Sequence, residues 1–522
     1  MLLGVALTAC HKDSDVLMSY DHDDAVTFAE ADQSFAGKFK VTWNGLNQYY
    51  GIWDYEAKQG LDWDATYDEY LPQFKALDAR DKNENPVTND ELRALMQKFL
   101  SPLHDGHLFV EWHNHHTNQF CSYSPSWTRT QSREDYEVAG NPSTESYYSP
   151  NLRFYSDLKN GWVMTDAAGN AAVKESSTQW ADYLTYIRGT EGVGVKWIEA
   201  QMAAYEKKTM PSDHEVYRYV GMKNLYAELA RLTVYSELTK YNELALKYAF
   251  LEVPGLDTLD PNFEKYGVSV KSAMLKGNTG GIAYLYFSGF RLTPYLSSDN
   301  EFDMTNTTTY NLVSQVKAVW DFWFGNIQAM HKAGTLEGII IDLRSNGGGL
   351  DTDEQYVMGA LIPQGDFQYG WMRYKRGTGR YEYSPLMPAT TQSLTDEHEV
   401  INDKPIVVLT NCGSVSMSEM TATITQCLPN GKVIGKRSAG GLCGLNGNAT
   451  FSYNYAGYVG VERETSVYCY VPSVAEMDMN KNIREGVGVT PDIEVNLDTK
   501  KFLSTGEDSQ LERAIEYIKT GK

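Results

Sequence analysis

Cysteine is scarce in this chain, and basic residues are outnumbered. The 522 residues include six cysteines and no Cys-x-x-Cys pair, so neither a zinc ribbon nor a thioredoxin-like motif is encoded. Lysine and arginine number 46 against 68 aspartates and glutamates, a net charge of −22. Phosphate backbones and anionic membrane surfaces would repel such a chain. We therefore expect no nucleic-acid partner.

Several motifs of other protein classes are also missing. A run of three glycines, 347–349, follows an apolar segment, but no Gly-Lys-Ser/Thr comes after it, which excludes a Walker phosphate loop. Five of the ten histidines fall between residues 104 and 116, yet no His-Glu-x-x-His spacing occurs. A metal-dependent hydrolase built on this histidine cluster stays an alternative, while our main expectation is a site without metal or other cofactor.

Apolar runs of transmembrane length are absent. The first nine residues are nevertheless apolar and small, and they lead directly to Cys10. This pattern resembles a bacterial lipobox, although it lacks the usual positive charge at its start, which suggests a start codon further upstream. We expect residues 1–30 to be a lipoprotein signal followed by an acidic tether. Lipid at Cys10 would then attach the protein to the membrane of a bacterial envelope, on its periplasmic or outer-membrane face.

The remaining chain divides by its patterning into three regions. Residues 31–119 read as mainly helical, with Asn89 or Asp90 as the expected N-cap of the helix before Leu100. Residues 120–277 are the least informative; helix-like stretches at 195–207 and 219–249 lie there, and we find no carboxylate-binding loop of the PDZ type. Residues 278–522 alternate buried strands with helices, which predicts an α/β domain with a parallel or mixed sheet.

A serine-rich turn at 414–418 carries the strongest chemical signal. It follows a buried strand at 405–410 and opens a helix at about 416. A serine at that point lies beyond the carboxyl end of the sheet, and the free amides of the first helical turn can hold an oxyanion. From local chemistry alone, these serines could equally be helix N-caps.

Two further segments offer the groups that a serine nucleophile needs. The three glycines after the strand 338–343 let the backbone approach a ligand closely, although a plain tight loop would look the same. His107 lies in an Asp-Gly-His turn, and histidine is the commonest general base. Taken alone, His107 reads as an ordinary turn residue.

Together these segments resemble the serine peptidase family that includes the tricorn core protease and the C-terminal processing (tail-specific) proteases. The resemblance covers about residues 31–110 and 280–520. It rests on six pieces in the family's order: Asp62-Trp63-Asp64, Asp105-Gly106-His107, the 338–349 strand and glycines, Ser414-x-Ser416-x-Ser418-Glu419, Val433-Ile434-Gly435, and the 485–493 segment that begins Glu485-Gly486-Val487.

The resemblance implies a fold and a set of roles. The fold would be mixed α/β, with a crotonase-like ββα catalytic domain, an N-terminal helical domain and a middle insertion. Ser416 would be the nucleophile, and the Met417 amide with an amide of Gly348 or Gly349 would bind the oxyanion. Tail-specific proteases use a lysine after the nucleophile, but Gly441 stands at that position here and Lys436 reads as a surface residue. The tricorn-like branch uses a histidine and an acid instead, which we assign to His107 and Glu485.

The sequence thus predicts a serine endopeptidase that cleaves peptides or proteins in the cell envelope. A catalytically inactive protein on the same scaffold, binding peptides or apolar ligands, is the second alternative. The oligomeric state is not encoded in any pattern that we recognise.

Overall fold

The structure is a computed structural model. It describes residues 33–126, the short strands Val163–Thr165 and Ala171–Val173, and residues 270–522 apart from 276–280, 298–303, 394–398, 445–466 and 497–507 and the shorter gaps at 288, 306, 345 and 377–378. Cys10 and the helices predicted at 195–207 and 219–249 lie outside the described residues. The domain boundaries inferred from the sequence therefore stay predictions.

Four helices form the N-terminal part: α1 (Phe35–Tyr49), α2 (Trp53–Lys58), α3 (Trp63–Asp78) and α4 (Asn89–Leu100). Their buried aromatic residues stack on one another; the Trp43 and Trp63 rings lie 5.9 Å apart. The predicted N-cap of α4 is wrong, because Thr88 fills that position. Its hydroxyl accepts from the Glu91 amide at 3.2 Å while Glu91 accepts from the Thr88 amide at 2.9 Å, the reciprocal pair of a capping box.

A three-stranded antiparallel sheet joins the N-terminal part to a distant piece of the chain. Strand β1 (Phe109–Asn114) lies between β2 (Gln119–Tyr123) and β12 (Val467–Tyr470). The pairing Phe109 with Tyr470 spans most of the sequence. Buried residues of β12, Val467 and Cys469, belong to the same hydrophobic core as the four helices. The N-terminal helices therefore share one hydrophobic core with β12, which lies far from them in the sequence.

The central sheet has six strands in the order β14-β11-β10-β7-β6-β5. These are β5 (Val270–Met274), β6 (Ile282–Phe287), β7 (Gly338–Asp342), β10 (Ile406–Thr410), β11 (Gly431–Gly435) and β14 (Ile493–Glu494). Only β5 pairs antiparallel, so the sheet is mixed and mainly parallel. This confirms the α/β fold predicted from the sequence.

Helices cover both faces of this sheet, which explains why its central strands are apolar throughout. One face packs on α6 (Thr307–Lys332) and α8 (Met417–Cys427), and the other on α9 (Ser509–Thr520). Two short elements follow β7: a 3₁₀ turn at Asp351–Asp353 leads into α7 (Glu354–Val357).

Smaller elements complete the described fold. Helix α5 (Thr293–Leu296) precedes α6, and strands β3 (Val163–Thr165) and β4 (Ala171–Val173) pair with each other. A second antiparallel sheet has the order β13-β8-β9, from β8 (Asp366–Tyr374), β9 (Met387–Gln392) and β13 (Val474–Met477). The hydroxyl of Tyr369 on β8 donates to the sulfur of Met420 on α8 at 3.0 Å. This sheet therefore lies against the helix that the serine-rich turn opens.

The five cysteines after residue 120 are all free thiols. Among the described residues, no helix combines the length and apolar character that crossing a bilayer requires.

Candidate active site

Ser416 lies on a strained turn between β10 and α8. Its backbone angles are φ 58° and ψ −117°, a region that residues with side chains rarely adopt. Such strain costs on the order of 1–3 kcal/mol and persists only where the surroundings impose it. A nucleophilic serine on a sharp strand-to-helix turn is held in the same way in other hydrolases, because the turn exposes its hydroxyl.

Neighbouring polar groups impose this turn. Ser414 Oγ accepts from the Asn411 amide at 3.0 Å and donates to the Leu343 carbonyl at 2.7 Å. Ser418 Oγ donates to the Asn346 carbonyl at 2.8 Å, and the Val415 amide donates to the same carbonyl at 3.0 Å. The two outer serines thus attach the turn to the end of β7.

The glycine loop, residues 347–349, packs directly against Ser416. Gly348 has φ +82°, and a Cβ built on it would lie 2.6 Å from Ser416 Cβ and 2.9 Å from the Met417 nitrogen. Only glycine fits there. Asn346 shapes the loop: its side chain accepts from the Gly348 amide at 2.9 Å and donates to the Phe287 carbonyl at 2.7 Å. The sequence pattern does not indicate this role for Asn346.

Two of the three predicted oxyanion amides are free to bind a ligand. Among the described residues, no acceptor takes the amide hydrogen of Met417 or of Gly349, whereas that of Gly348 is already donated to Asn346. A first-turn amide and a loop amide beside a nucleophile form the usual kind of oxyanion site. We therefore favour Gly349 over Gly348 as the loop donor.

Glu419 fastens the nucleophile turn to the segment 438–441. Its buried carboxylate accepts from the amides of Ser416 (3.2 Å), Gly440 (2.7 Å) and Gly441 (2.7 Å) and from Ser438 Oγ (2.5 Å). Burial raises the pKa of Glu419, and these bonds counteract the rise. The acid at the end of the serine motif is therefore structural, a role that the sequence pattern did not reveal.

Gly441 brings the two parts of the site together. A Cβ on Gly106 would lie 2.6 Å from Gly441 Cα, and a Cβ on Gly441 would lie 3.1 Å from a methyl of Val415, next to Ser416. A lysine side chain at 441 would start between the Val415 methyl and the Gly106 Cα of the Asp-Gly-His turn, the latter 3.6 Å from its Cβ. A lysine does lie nearby in the sequence, at Lys436, but it is not the surface residue that we predicted. Its stem is buried and its ammonium pairs with Glu494 at 2.7 Å.

His107 lies on the turn before β1, largely withdrawn from solvent. Asp105 fixes the turn by accepting from the amides of His107 (2.7 Å) and Leu108 (2.8 Å). Burial lowers the pKa of His107 to about 4, although an interaction with the Cys443 backbone works in the opposite direction. Its Nδ1 is buried without a hydrogen-bond partner among the described residues. At neutral pH the ring is therefore uncharged and able to accept a proton.

Glu485 lies beside His107 and is fully buried. Its carboxylate accepts from the amides of Gly106 (2.5 Å), Leu442 (2.7 Å) and Cys443 (2.7 Å). Burial raises the pKa of Glu485 well above its usual value, and the Asp105 charge adds to this, while the amide bonds lower it. Ligand atoms of Asp105, His107 and Glu485 lie within 4.8 Å of one another. Two acids thus surround the imidazole.

A set of side chains that support the histidine turn was not predicted from the sequence. Glu56 on α2 is fully buried and accepts from the His104 amide at 2.7 Å and from Tyr50 Oη at 2.7 Å, and it pairs with His104 Nδ1 at 2.6 Å. Tyr55 on the same helix donates to the Glu485 carbonyl at 3.1 Å. No local pattern marks a glutamate inside a short helix as a support for a turn 48 residues later.

The structure thus brings Ser416, His107 and Glu485 into one neighbourhood across Gly441 and Gly106. In the part of the chain that the structure describes, Ser416 Oγ and the His107 ring are not hydrogen-bonded to each other; such contacts are often long before substrate binds. The other clustered histidines lie elsewhere: His113 contacts Asn118, and His115 packs on Phe35. The metal site proposed from that cluster is therefore not assembled, whereas Asp105, His107 and Glu485 have the spacing of possible ligands.

Comparison with known proteins gives a family match over part of the chain. The model of peptidase family S41 matches residues 313–495. A carboxy-terminal-processing protease of Bartonella bacilliformis is 31% identical over 170 residues, which are 33% of this chain and 33% of that protein. The chain therefore matches about a third of that relative's length.

Solved structures of peptidases are also similar. A candidate peptidase from Parabacteroides merdae has 16% identity and a TM-score of 0.49, covering 93% of this chain and 96% of that one. The tricorn protease has 21% identity and a TM-score of 0.26, covering 46% of this chain and 18% of that one.

Proposed function

We propose that this chain is a serine-type endopeptidase with Ser416 as its nucleophile, because the model of peptidase family S41 matches residues 313–495. The observation that carries the proposal is the strained backbone of Ser416, held against Gly348 beside amides with no acceptor of their own. Strain of this kind at a polar residue favours a catalytic role over a simple N-cap.

The proposed mechanism follows the logic of a catalytic triad. His107 accepts the Ser416 hydroxyl proton as the oxygen attacks a peptide carbonyl, and it then gives that proton to the leaving amine. The amides of Met417 and Gly349 bind the oxyanion. A water molecule, deprotonated by His107, releases the acyl group in the second half of the reaction.

Glu485 supports the base in this mechanism. Its carboxylate carries three amide bonds, one of them from the histidine turn at Gly106. It therefore fixes the position of the turn and offers negative charge to the imidazolium that forms during attack. Asp105 adds to that charge from the same turn.

The test is digestion of a peptide mixture, read by mass spectrometry, with wild type, Ser416→Ala and His107→Ala. We expect both variants to lose cleavage by several orders of magnitude, and wild-type cleavage to survive a chelator. Cleavage that persists in Ser416→Ala but stops with chelator would instead favour a metal site at Asp105, His107 and Glu485. Folded wild type that cleaves nothing would favour the peptide-binding alternative.

We further propose that lipid at Cys10 anchors the protein in a bacterial envelope, where it cleaves envelope peptides or proteins. The proposal rests on the apolar run before Cys10 and the acidic stretch after it. Cys10→Ala should move the protein from the membrane fraction to the soluble fraction. Unchanged fractionation would contradict it.

A further inference from the structure

Glu354, the first residue of α7, is a buried acid that the proposed mechanism does not use. Only 3% of it is exposed. Its Oε2 lies 2.8 Å from the hydroxyl oxygen of Thr421 on α8. Its Oε1 is buried and has no hydrogen-bond partner among the described residues. The contact with Thr421 therefore links α7 to the helix that begins just after Ser416.

The Thr421 hydroxyl has two oxygens within reach but only one hydrogen to donate. These oxygens are Glu354 Oε2 at 2.8 Å and the Met417 carbonyl at 2.9 Å. Thr423 and Thr425 on the same helix each donate at 2.8 Å to the carbonyl four residues earlier. Thr421 makes the same bond to Met417, so its oxygen is left to accept from Glu354. That bond requires the carboxyl group to carry a proton.

The surroundings of Glu354 keep this proton in place. Burial raises the pKa of Glu354 to about 8; the Thr421 bond opposes this rise, and the negative charge of Asp353 adds to it. Tyr369 on β8 also interacts with Glu354, and burial raises the pKa of that phenol well above its usual value, so it is uncharged. Strand β9, which contacts α7, has no titratable side chain. Among the described residues no lysine or arginine pairs with Glu354, so at neutral pH it is a neutral acid that can donate a hydrogen bond.

The chain of bonds that starts at Glu354 ends at one of the proposed oxyanion donors. It runs from the Glu354 carboxyl group through Thr421 to the Met417 carbonyl, in the first turn of α8. The other proposed donor, Gly349, lies five residues before Glu354 on the same segment. A shift of α7 relative to α8 would therefore change the spacing of the two amides.

We propose that Glu354, as a neutral carboxylic acid, is a positioning residue that sets the spacing of the Met417 and Gly349 amides through its bond to Thr421. The proposal rests on the proposed peptidase function and adds a residue to that site. Once ionised, Glu354 can only accept, so the Thr421 hydrogen turns from Met417 to the carboxylate. The bond to Met417 is then lost while an unpaired charge stays buried. Activity should therefore fall as pH rises through the pKa of Glu354, about 8.

The first test compares kcat and KM of wild type, Glu354→Leu and Glu354→Gln on one cleaved peptide. Leucine removes the donor, and we expect kcat to fall about tenfold or more with little change in KM, since oxyanion contacts act in the transition state. Glutamine donates without titrating and should restore most of the lost kcat. Glu512→Gln, an exposed acid in the first turn of α9, is the matched control and should behave as wild type.

Wild-type kcat in Glu354→Leu overturns the proposal. If this variant fails to fold, Thr421→Val removes the same relay at nearly constant shape and should show the same loss.

The second test is the pH profile of kcat/KM, which reports on the proton itself. Wild type and Glu512→Gln should lose activity above about pH 8, whereas Glu354→Gln should stay level there. An equal alkaline decline in Glu354→Gln contradicts the role of a neutral acid, as does a Glu354→Gln with the low kcat of Glu354→Leu.

Stability gives a readout that does not depend on cleavage. The folded protein keeps the Glu354 proton up to about pH 8, whereas the unfolded chain loses it near the ordinary pKa of 4.5. The stability of wild type relative to Glu354→Gln should therefore fall as pH rises between these two values and level off above them. Urea denaturation at several pH values measures this, and a difference that does not change with pH overturns the proposal. Folded wild type that cleaves nothing overturns the peptidase function instead, and the stability measurement then decides the protonation of Glu354.

Discussion

The two halves of the candidate site are built from different chemistry. In the nucleophile half, formed by the Ser416 turn and the 346–349 loop, serine hydroxyls, backbone groups and the Asn346 amide make most of the bonds. In the histidine half, formed by residues 104–108, buried carboxylates make them: Asp105, Glu485 and Glu56. Most of the bonds that hold the strained backbone are neutral, and one carboxylate, that of Glu419, binds the Ser416 amide at 3.2 Å. Acids hold the other turn by accepting from its backbone amides.

Substitution at Gly348 should disrupt the nucleophile half most severely. A methyl group there collides with Ser416 Cβ and is strained at φ +82°. We expect Gly348→Ala to lower kcat/KM by about 10³-fold. Gly347→Ala, with nothing within 4 Å of its Cβ, should stay close to wild type. Equal losses in both would show that the loop does not hold Ser416 through this contact.

Arg344 supports the nucleophile half through ion pairs rather than through neutral hydrogen bonds. Its guanidinium is fully buried and binds both Asp342 and Asp508 at 2.7 Å. Arg344→Met leaves two buried acids without their shared cation and should lower the free energy of unfolding by about 3–5 kcal/mol. Urea denaturation measures it. A loss under 1 kcal/mol would mean that the acids become neutral at little cost.

Substitution at the contact between the two halves, where Gly106 meets Gly441, should have the next largest effect on kcat. Gly106→Ala places a methyl 2.6 Å from Gly441 Cα, so the histidine turn must move away from the nucleophile. Displacement of about 1 Å can cost about 10²-fold in kcat. Gly325→Ala, in open space on α6, is the control. Unchanged kcat in Gly106→Ala would argue that His107 does not act on Ser416.

Removing one charge behind the histidine half should have a smaller effect. Glu56→Gln keeps the shape but weakens the bonds to His104 and Tyr50. We expect about a tenfold loss of kcat with little change in KM, since charged hydrogen bonds contribute about 1.5–3 kcal/mol. A proportional loss in the unfolding free energy with normal kcat would assign Glu56 to stability alone.

A change of pH near neutrality should have the smallest effect on activity. His107 must be neutral to accept the Ser416 proton, and burial places its pKa at about 4. Activity should therefore stay nearly level as pH falls from neutral and decline only as pH approaches about 4, where the ring becomes protonated. Steady-state kcat/KM against pH measures this. An acid limb near 6.5 would show that the base is an exposed imidazole.

Strong local patterns explain what could be predicted. The apolar strands at β7 and β10, the glycine loop and the helix after Ser416 are continuous in sequence, and so their positions and the mixed sheet follow from it. The model of the family that the sequence resembles matches residues 313–495. The supports could not be predicted in this way, because Glu56 and Gly441 act on residues far from them in the chain, and Asn346 binds the distant Phe287 as well as Gly348. The burial of Lys436 depends likewise on a partner, Glu494, from another strand.

The pairing of β1 with β12 has a consequence for biosynthesis. Strand β1 carries the histidine turn, and its neighbour on one side is residues 467–470. During synthesis the ribosome releases this neighbour more than 350 residues after β1. Domains fold as their residues emerge, but a sheet whose paired strands lie far apart in the sequence cannot close early. A nascent chain therefore stays without its complete histidine half until β12 has emerged.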